Sequence, residues 1–179
     1  MPNENVVYWD SCTFIHRIQQ TPEHIDVLRQ ITDAAEKDKL SIVTSAFTLC
    51  EVAKVNKDVP DILPEEQERL IVDYFENPYI VLRSVDRAVA KKAREILRFK
   101  ESIKGKDAVH VATAVLHGIP IMHTFDRKLQ TLTGAPCIGS LRIQAPSWES
   151  GTEKPQFRTM RLFNFDEDIE VEIEEEGNV

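Results

Sequence analysis

The stretch DAVHVATAVLHGIPIMHTFD, residues 107–126, decides how the chain is organised. Between its first and last residues no Asp, Glu, Lys or Arg occurs, the longest such run in the sequence. It is not a membrane span, because His110, His117, Gly118, Pro120 and His123 interrupt it. It reads instead as a helix from Asp107 to Leu116, apolar nearly all round and therefore central, stopped at Gly118. A short strand, Pro120 to Thr124, follows and ends at Phe125-Asp126.

The same alternation extends in both directions. Upstream, Val6-Val7-Tyr8-Trp9 is a β-branched and aromatic run closed by Asp10. Thr21-Pro22 has the form of an N-cap and first helical residue, ahead of Ile25, Leu28, Ile31 and Ala35 at helical spacing. Leu40 to Thr44 is a second strand, and Ser45 can cap a helix from Ala46 to Val55. Pro64-Glu65-Glu66 opens another helix, with acids suited to its positive end. Tyr79 to Leu82 is a third strand. Asp86 caps the helix Arg87–Phe99, whose inner face is Val89, Ala93 and Ile96 or Leu97. Gly105 breaks the pattern before the central helix, and Leu141-Arg142-Ile143 is a fifth strand. Strands alternating with helices predict right-handed βαβ units, an α/β fold and a mostly parallel sheet.

At 179 residues, with 42% hydrophobic and 29% charged side chains, the chain has the size and composition of one globular domain. Pro146, Gly151 and Pro155 mark a change of character. The sequence therefore divides into a domain over residues 1–145 and a C-terminal extension over 146–179. Within the extension, Phe157, Arg158, Met160, Arg161, Phe163 and Phe165 mix basic and apolar side chains. Asp168 to Glu174 then alternates acidic and apolar residues with the period of a strand. The three cysteines, Cys12, Cys50 and Cys137, form no CxxC pair and are odd in number, which suits a reducing cytoplasm. The first residues carry no basic segment of a signal peptide.

The net charge of -8 hides a gradient. Residues 166–179 hold eight acids and no base, whereas residues 83–106 hold nine bases and three acids. A basic stripe of this kind suits a polyanion such as RNA, with Lys104 and Lys106 next to Asp107. The plainer reading is a solvated helix face partnered by Glu95 and Glu101.

In a parallel α/β sheet, ligands bind at the carboxyl ends of the strands. Asp10 and Asp126 follow strands, Asp107 opens the central helix, and Glu51 lies between Cys50 and Val52 in a helix after a strand. All four can reach one rim. Singly, Asp10, Asp107 and Asp126 read as helix caps. Glu51 is harder to assign to a cap or a solvated face. Together, four carboxylates repel unless a cation is present, and a hard divalent ion takes oxygen ligands. The chemistry that follows is phosphodiester hydrolysis, in which such an ion polarises a phosphoryl oxygen and activates water. His110, one turn beyond Asp107, is placed to orient that carboxylate. His117 stands near a helix end, where a cation is favoured. No spacing among His110, His117 and His123 resembles a zinc motif.

Four segments resemble the signature blocks of PIN-domain nucleases, in order and rough spacing. They are Val7 to Cys12, Thr44 to Val52, Asp107 to Ala114 and Thr124 to Leu129, and the likeness spans about residues 5–143. In size and general shape it is to the VapC-like toxin branch. The resemblance implies a three-layer α/β/α sandwich, Mg²⁺ or Mn²⁺, cleavage of single-stranded or structured RNA, and a homodimer. For a toxin of a toxin–antitoxin pair it also implies an antitoxin partner. By position it makes Asp10, Glu51, Asp107 and Asp126 the metal ligands. Thr124 becomes a hydroxyl beside them, and Ser11 a further candidate at the substrate. Members of the family typically end near residue 145 of this chain, so the extension departs from the pattern. Two other readings differ in class. One is a PIN-like module that binds RNA or protein without cutting. The other is a phosphatase phosphorylated on Asp10, which normally has a second Asp two residues on, where this chain has Cys12.

Overall fold

Four short apolar runs and one mixed run pair into a single parallel sheet. In the computed structural model, which describes residues 6–53 and 64–148, these are β1 (Val6–Trp9), β2 (Ser41–Ser45), β3 (Ile80–Arg83), β4 (Ile121–His123) and β5 (Arg142–Gln144). Their order across the sheet is β3-β2-β1-β4-β5, and every pairing is parallel. Each parallel step needs a crossover. Helices α1 (Ser11–Ile18) and α2 (Ile25–Glu36) join β1 to β2. Helices α3 (Phe47–Glu51) and α4 (Glu65–Phe75) lie between β2 and β3. Helices α5 (Arg87–Phe99) and α6 (Gly105–Leu116) join β3 to β4, and α7 (Arg127–Gln130) precedes β5.

The two-residue period of the strands splits the core into two layers. Tyr8, Val43, Met122 and Ile143 point to the side covered by α5 and α6, where they meet Val89, Ile96, Ala108, Val111 and Ala112. Val7, Trp9, Ile42 and Ile80 point to the side of α1, α2 and α4. There the rings of Trp9 and Phe14 meet edge to face at 5.3 Å, and Phe14 stacks obliquely on Phe75 at 4.9 Å. Burying a side chain such as Phe14 contributes roughly 1.5–3 kcal/mol. The result is a helix–sheet–helix sandwich, as the resemblance implied. Trp148, beyond the fifth strand, packs on the second of these layers. The rest of the extension, with its mixed and alternating segments, lies outside the described residues.

The strand order reverses direction at β1, whose neighbours are β2 on one side and β4 on the other. Such a switch point opens a crevice at the carboxyl ends of the strands. It brings the turn after β1, with Asp10, beside the turn after β4, with Thr124 to Asp126.

Several local expectations hold. Asp86 accepts a hydrogen bond from Val89 N at 2.9 Å and caps α5, whose buried face is Val89, Ala93 and Ile96, with Leu97 only partly covered. Gly118 ends α6 with φ +65, a value that favours glycine. Others need correction. Helix α1 was not anticipated from Ser11-Cys12-Thr13; it forms because the Asp10 carboxylate caps it and Phe14 and Ile18 are buried. Thr21-Pro22 does not start a helix. The Thr21 carbonyl accepts from His24 N and Ile25 N in a turn, and α2 begins at Ile25. Ser45 does accept from Phe47 N, but α3 ends at Glu51. Gly105 is the first residue of α6 and not a break before it, so Asp107 lies inside the first turn and is not a cap.

Candidate active site at the strand ends

Asp10 leaves β1 and is buried at once. Its Oδ1 accepts from Thr13 N at 3.0 Å and from the Thr13 hydroxyl at 2.8 Å. The Cys12 thiol lies 3.0 and 3.2 Å from its two oxygens and donates to them. Burial and the Asp10 charge push that thiol up to about 12, so it stays protonated. Cys12 Sγ also contacts Thr124 Oγ1 at 3.6 Å, and Thr124 Oγ1 accepts from Asp126 N at 3.0 Å. Cys12 therefore bridges the turns after β1 and β4. Asp126 accepts from Lys128 N at 2.7 Å and caps α7, as its position after a strand suggested.

Glu51 ends α3 with its two oxygens held differently. Oε2 accepts from His110 Nε2 at 2.6 Å, and Oε1 accepts from Lys106 Nζ at 2.9 Å. His110 is buried in α6, and its Nδ1 meets the Tyr8 hydroxyl at 2.8 Å. A carboxylate only accepts, so Nε2 carries the proton. Its Nδ1 faces the Tyr8 hydroxyl, whose phenol burial keeps protonated. Burial alone would raise the Glu51 carboxyl. His110, Lys106 and Ser11 outweigh it and hold the group at about 2. Asp107 has the opposite balance. Burial raises it, and the charges of Asp126 and Glu51 add to that, against Lys106 and His110.

Five of the residues singled out from sequence, Glu51, Asp107, Asp126, Lys106 and Ser11, thus act on one another. Asp10 and Thr124 form the adjoining half, tied through Cys12, whose thiol also lies within electrostatic reach of Lys106. Lys104 stands exposed at the N-cap of α6.

The PIN domain family matches residues 7–134. The chain belongs to that family. Its fold is similar to that of a chain in the crystal structure of VapBC2 from Rickettsia felis bound to a DNA fragment from their promoter. That match has a TM-score of 0.54 and 16% identity, covering 78% of this chain and 98% of that one. It is also similar to a chain in the crystal structure of FitAcB from Neisseria gonorrhoeae, with a TM-score of 0.51 and 19% identity. The match covers 78% of this chain and 97% of that one. No curated protein matches it.

The donor set of this PIN domain is hard: carboxylates and hydroxyls. Among the described residues, no three His, Cys, Asp or Glu side chains come together tightly enough to enclose one ion. Oxygen donors of this kind fit a hard divalent cation that keeps several of its waters. Burial and the charges of Asp126 and Glu51 all raise the Asp107 carboxyl, so added positive charge there would favour its ionised form.

Two readings of single residues change, and His123 takes a role the sequence did not assign. His110 orients Glu51 and not Asp107. His117 is not held as a cation by its helix end, because burial and Arg83 lower it. His123 is buried, and its Nδ1 accepts from Trp9 Nε1 at 3.2 Å, a packing role. Cys12, Tyr8 and Thr13 were missed as parts of the site; only the alternation that puts Tyr8 and Asp10 on one side of β1 hinted at them. Most of the basic stripe is exposed along α5, where Lys91, Arg94, Glu95, Arg98 and Phe99 line a groove of about 550 Å³ with Pro136 and Cys137, and Lys92 pairs with Glu95. No helix among the described residues is long and apolar enough to cross a membrane.

Proposed function

We propose that this PIN domain is an endoribonuclease that uses Mg²⁺ or Mn²⁺ to hydrolyse phosphodiester bonds of RNA. The observation that carries the reading is the gathering of Glu51, Asp107 and Asp126 within electrostatic reach of one another, with Asp107 raised first by burial and then by the two other carboxylates, beside Asp10 and Thr124 at the switch point of the sheet. A divalent cation bound there supplies charge for the phosphoryl oxygens and lowers the pKa of water. Asp10, Glu51, Asp107 and Asp126 would hold it, one or two of them directly and the others through its waters. Glu51 is aimed by His110, and Asp10 is fixed by Thr13 and Cys12. The Thr124 hydroxyl, which contacts Cys12 and accepts from Asp126 N, would stand beside them. Lys104, Lys106 and Ser11 would contact the RNA strand, the lysines through phosphate.

The VapC-like blocks and the likeness to a VapBC2 chain support a toxin role with an antitoxin as partner, and in that role the chain would work as a homodimer in the cytoplasm. Residues 1–145 would form the nuclease unit and 146–179 a separate extension.

The test is cleavage of single-stranded RNA by purified protein with Mg²⁺, Mn²⁺ or excess EDTA, alongside an Asp107→Asn form. Metal-dependent cleavage that Asp107→Asn abolishes supports the proposal. Cleavage undiminished in EDTA overturns it. RNA binding without cleavage under any metal assigns the chain to the non-catalytic alternative.

A further inference from the structure

The two oxygens of Glu51 are held by groups of opposite character. Oε2 belongs to the fold: its donor, His110, is 1% exposed and is backed by Tyr8 on the central strand. Releasing it would leave buried polar atoms unpaired. Oε1 is held by Lys106, whose side chain is 51% exposed, at the second position of α6. An ammonium on a four-carbon stem in water forms and breaks such a pair readily, and exposed pairs contribute little. The charge of Asp107 also acts on Lys106, so the ammonium on Oε1 stands in the field of two carboxylates. The oxygen best placed for a cation therefore already carries a positive charge, supplied by a side chain that can leave.

We propose that Lys106 is an exchangeable counter-ion. Its ammonium neutralises Glu51 in the metal-free protein, yields Oε1 to a divalent cation, and then takes up a phosphate of the RNA. This rests on the metal-dependent reading above and adds a coupling to it. An ammonium and a dication repel too strongly to share one carboxylate oxygen. Lys106 stays tethered at the start of α6, so once displaced it remains at the rim where the strand must lie. The same lysine then opposes metal binding when RNA is absent and favours RNA binding when metal is present. Coupling between two ligands is reciprocal, so RNA tightens metal binding by the same factor.

The test uses the full chain and Mn²⁺ alone, titrated calorimetrically into wild type, Lys106→Met and Lys104→Met. Lys104 is the control for the general field, being exposed near the site without a pairing to Glu51. Lys106→Met is expected to bind Mn²⁺ about two- to fivefold tighter than wild type, the scale of an exposed ion pair. Lys104→Met should change it by less than about twofold. Fluorescence anisotropy with a single-stranded 2′-O-methyl RNA should show wild type gaining affinity when Mn²⁺ is added, and Lys106→Met losing most of that gain. Melting of both metal-free variants checks that they are folded. Equal or weaker Mn²⁺ binding by Lys106→Met overturns the exchange, as does equal tightening in Lys104→Met. If Mn²⁺ binds and RNA is cut but the variants do not differ, the exchange alone fails. If wild type binds no Mn²⁺, the metal-dependent reading fails with it.

Discussion

The Tyr8 hydroxyl and His110 Nδ1 meet at 2.8 Å although 102 residues separate them in the chain. The contact ties the central strand to the central helix, and through His110 Nε2 it reaches Glu51. Glu51 ends a helix of only five residues, so α3 alone does little to fix its carboxylate. The Tyr8–His110 pair does so from the core.

Tyr8→Phe removes the hydroxyl and leaves a buried ring nitrogen without a partner. It is expected to cost about 1–3 kcal/mol of stability. His110→Ala should weaken divalent-cation binding about 10- to 100-fold, as loss of a group that orients a ligand usually does. His110→Gln, which keeps a donor for Oε2, should fall between Ala and wild type. Urea melts and calorimetric Mn²⁺ titrations measure both effects. Unchanged metal binding in His110→Ala would mean that the pair is packing alone.

Asp10 is both a cap and a candidate ligand, and two substitutions separate the roles. Asp10→Ala loses the bond from Thr13 N and should destabilise the metal-free protein by about 0.5–2 kcal/mol. Asp10→Asn caps about as well, so its metal-free stability should stay within about 1 kcal/mol of wild type. Both should lose cleavage and most of the rise in melting temperature that Mg²⁺ produces. If Asp10→Asn keeps the Mg²⁺-dependent rise and the activity, Asp10 is a cap only.

His123 makes stability depend on acid. Burial lowers it from 6.5 to about 4 in the folded chain. A lowered folded value contributes stability that is present above 6.5 and is lost as pH falls toward about 4, because the unfolded chain takes up the proton first. His123→Gln retains an acceptor for Trp9 Nε1 but has no titration there. Its unfolding free energy, measured in urea across that window, should fall less steeply than that of wild type. Parallel slopes would show that His123 takes no part in the acid response.

The acidic run from Asp166 can compete with RNA for the groove of Lys91, Arg94 and Arg98. No described residue forms an ion pair with these three cations. A chain ending at Phe165 should bind single-stranded RNA more tightly than the full chain at low salt, with the difference shrinking as salt is added. Equal or weaker binding would assign the run to another role.

Much of the fold was legible because its determinants are local. Strand positions follow from apolar runs such as Val6 to Trp9. Caps at Asp86 and Asp126, and the stop at Gly118, depend on residues within one turn. The rim position of Asp10, Glu51, Asp107 and Asp126 follows from their place after strands or at the start of a helix, given a parallel sheet. Helix α1 escaped because Ser11-Cys12-Thr13 has weak helix propensity, and burial of Phe14 and Ile18 overrode it. The partners of the site residues were not legible at all. His110 lies three residues from Asp107, yet it bonds Glu51, 59 residues away, and Tyr8, 102 away. Which oxygen of Glu51 meets His110 and which meets Lys106 depends on where α3 and α6 cross the sheet relative to β1. Sequence determined the elements and the residues at their ends, because hydrogen bonds and burial within a few residues specify them. Tertiary structure alone decided who faces whom, because the strand order β3-β2-β1-β4-β5 is set by packing of both sheet faces at once, and no local pattern encodes it.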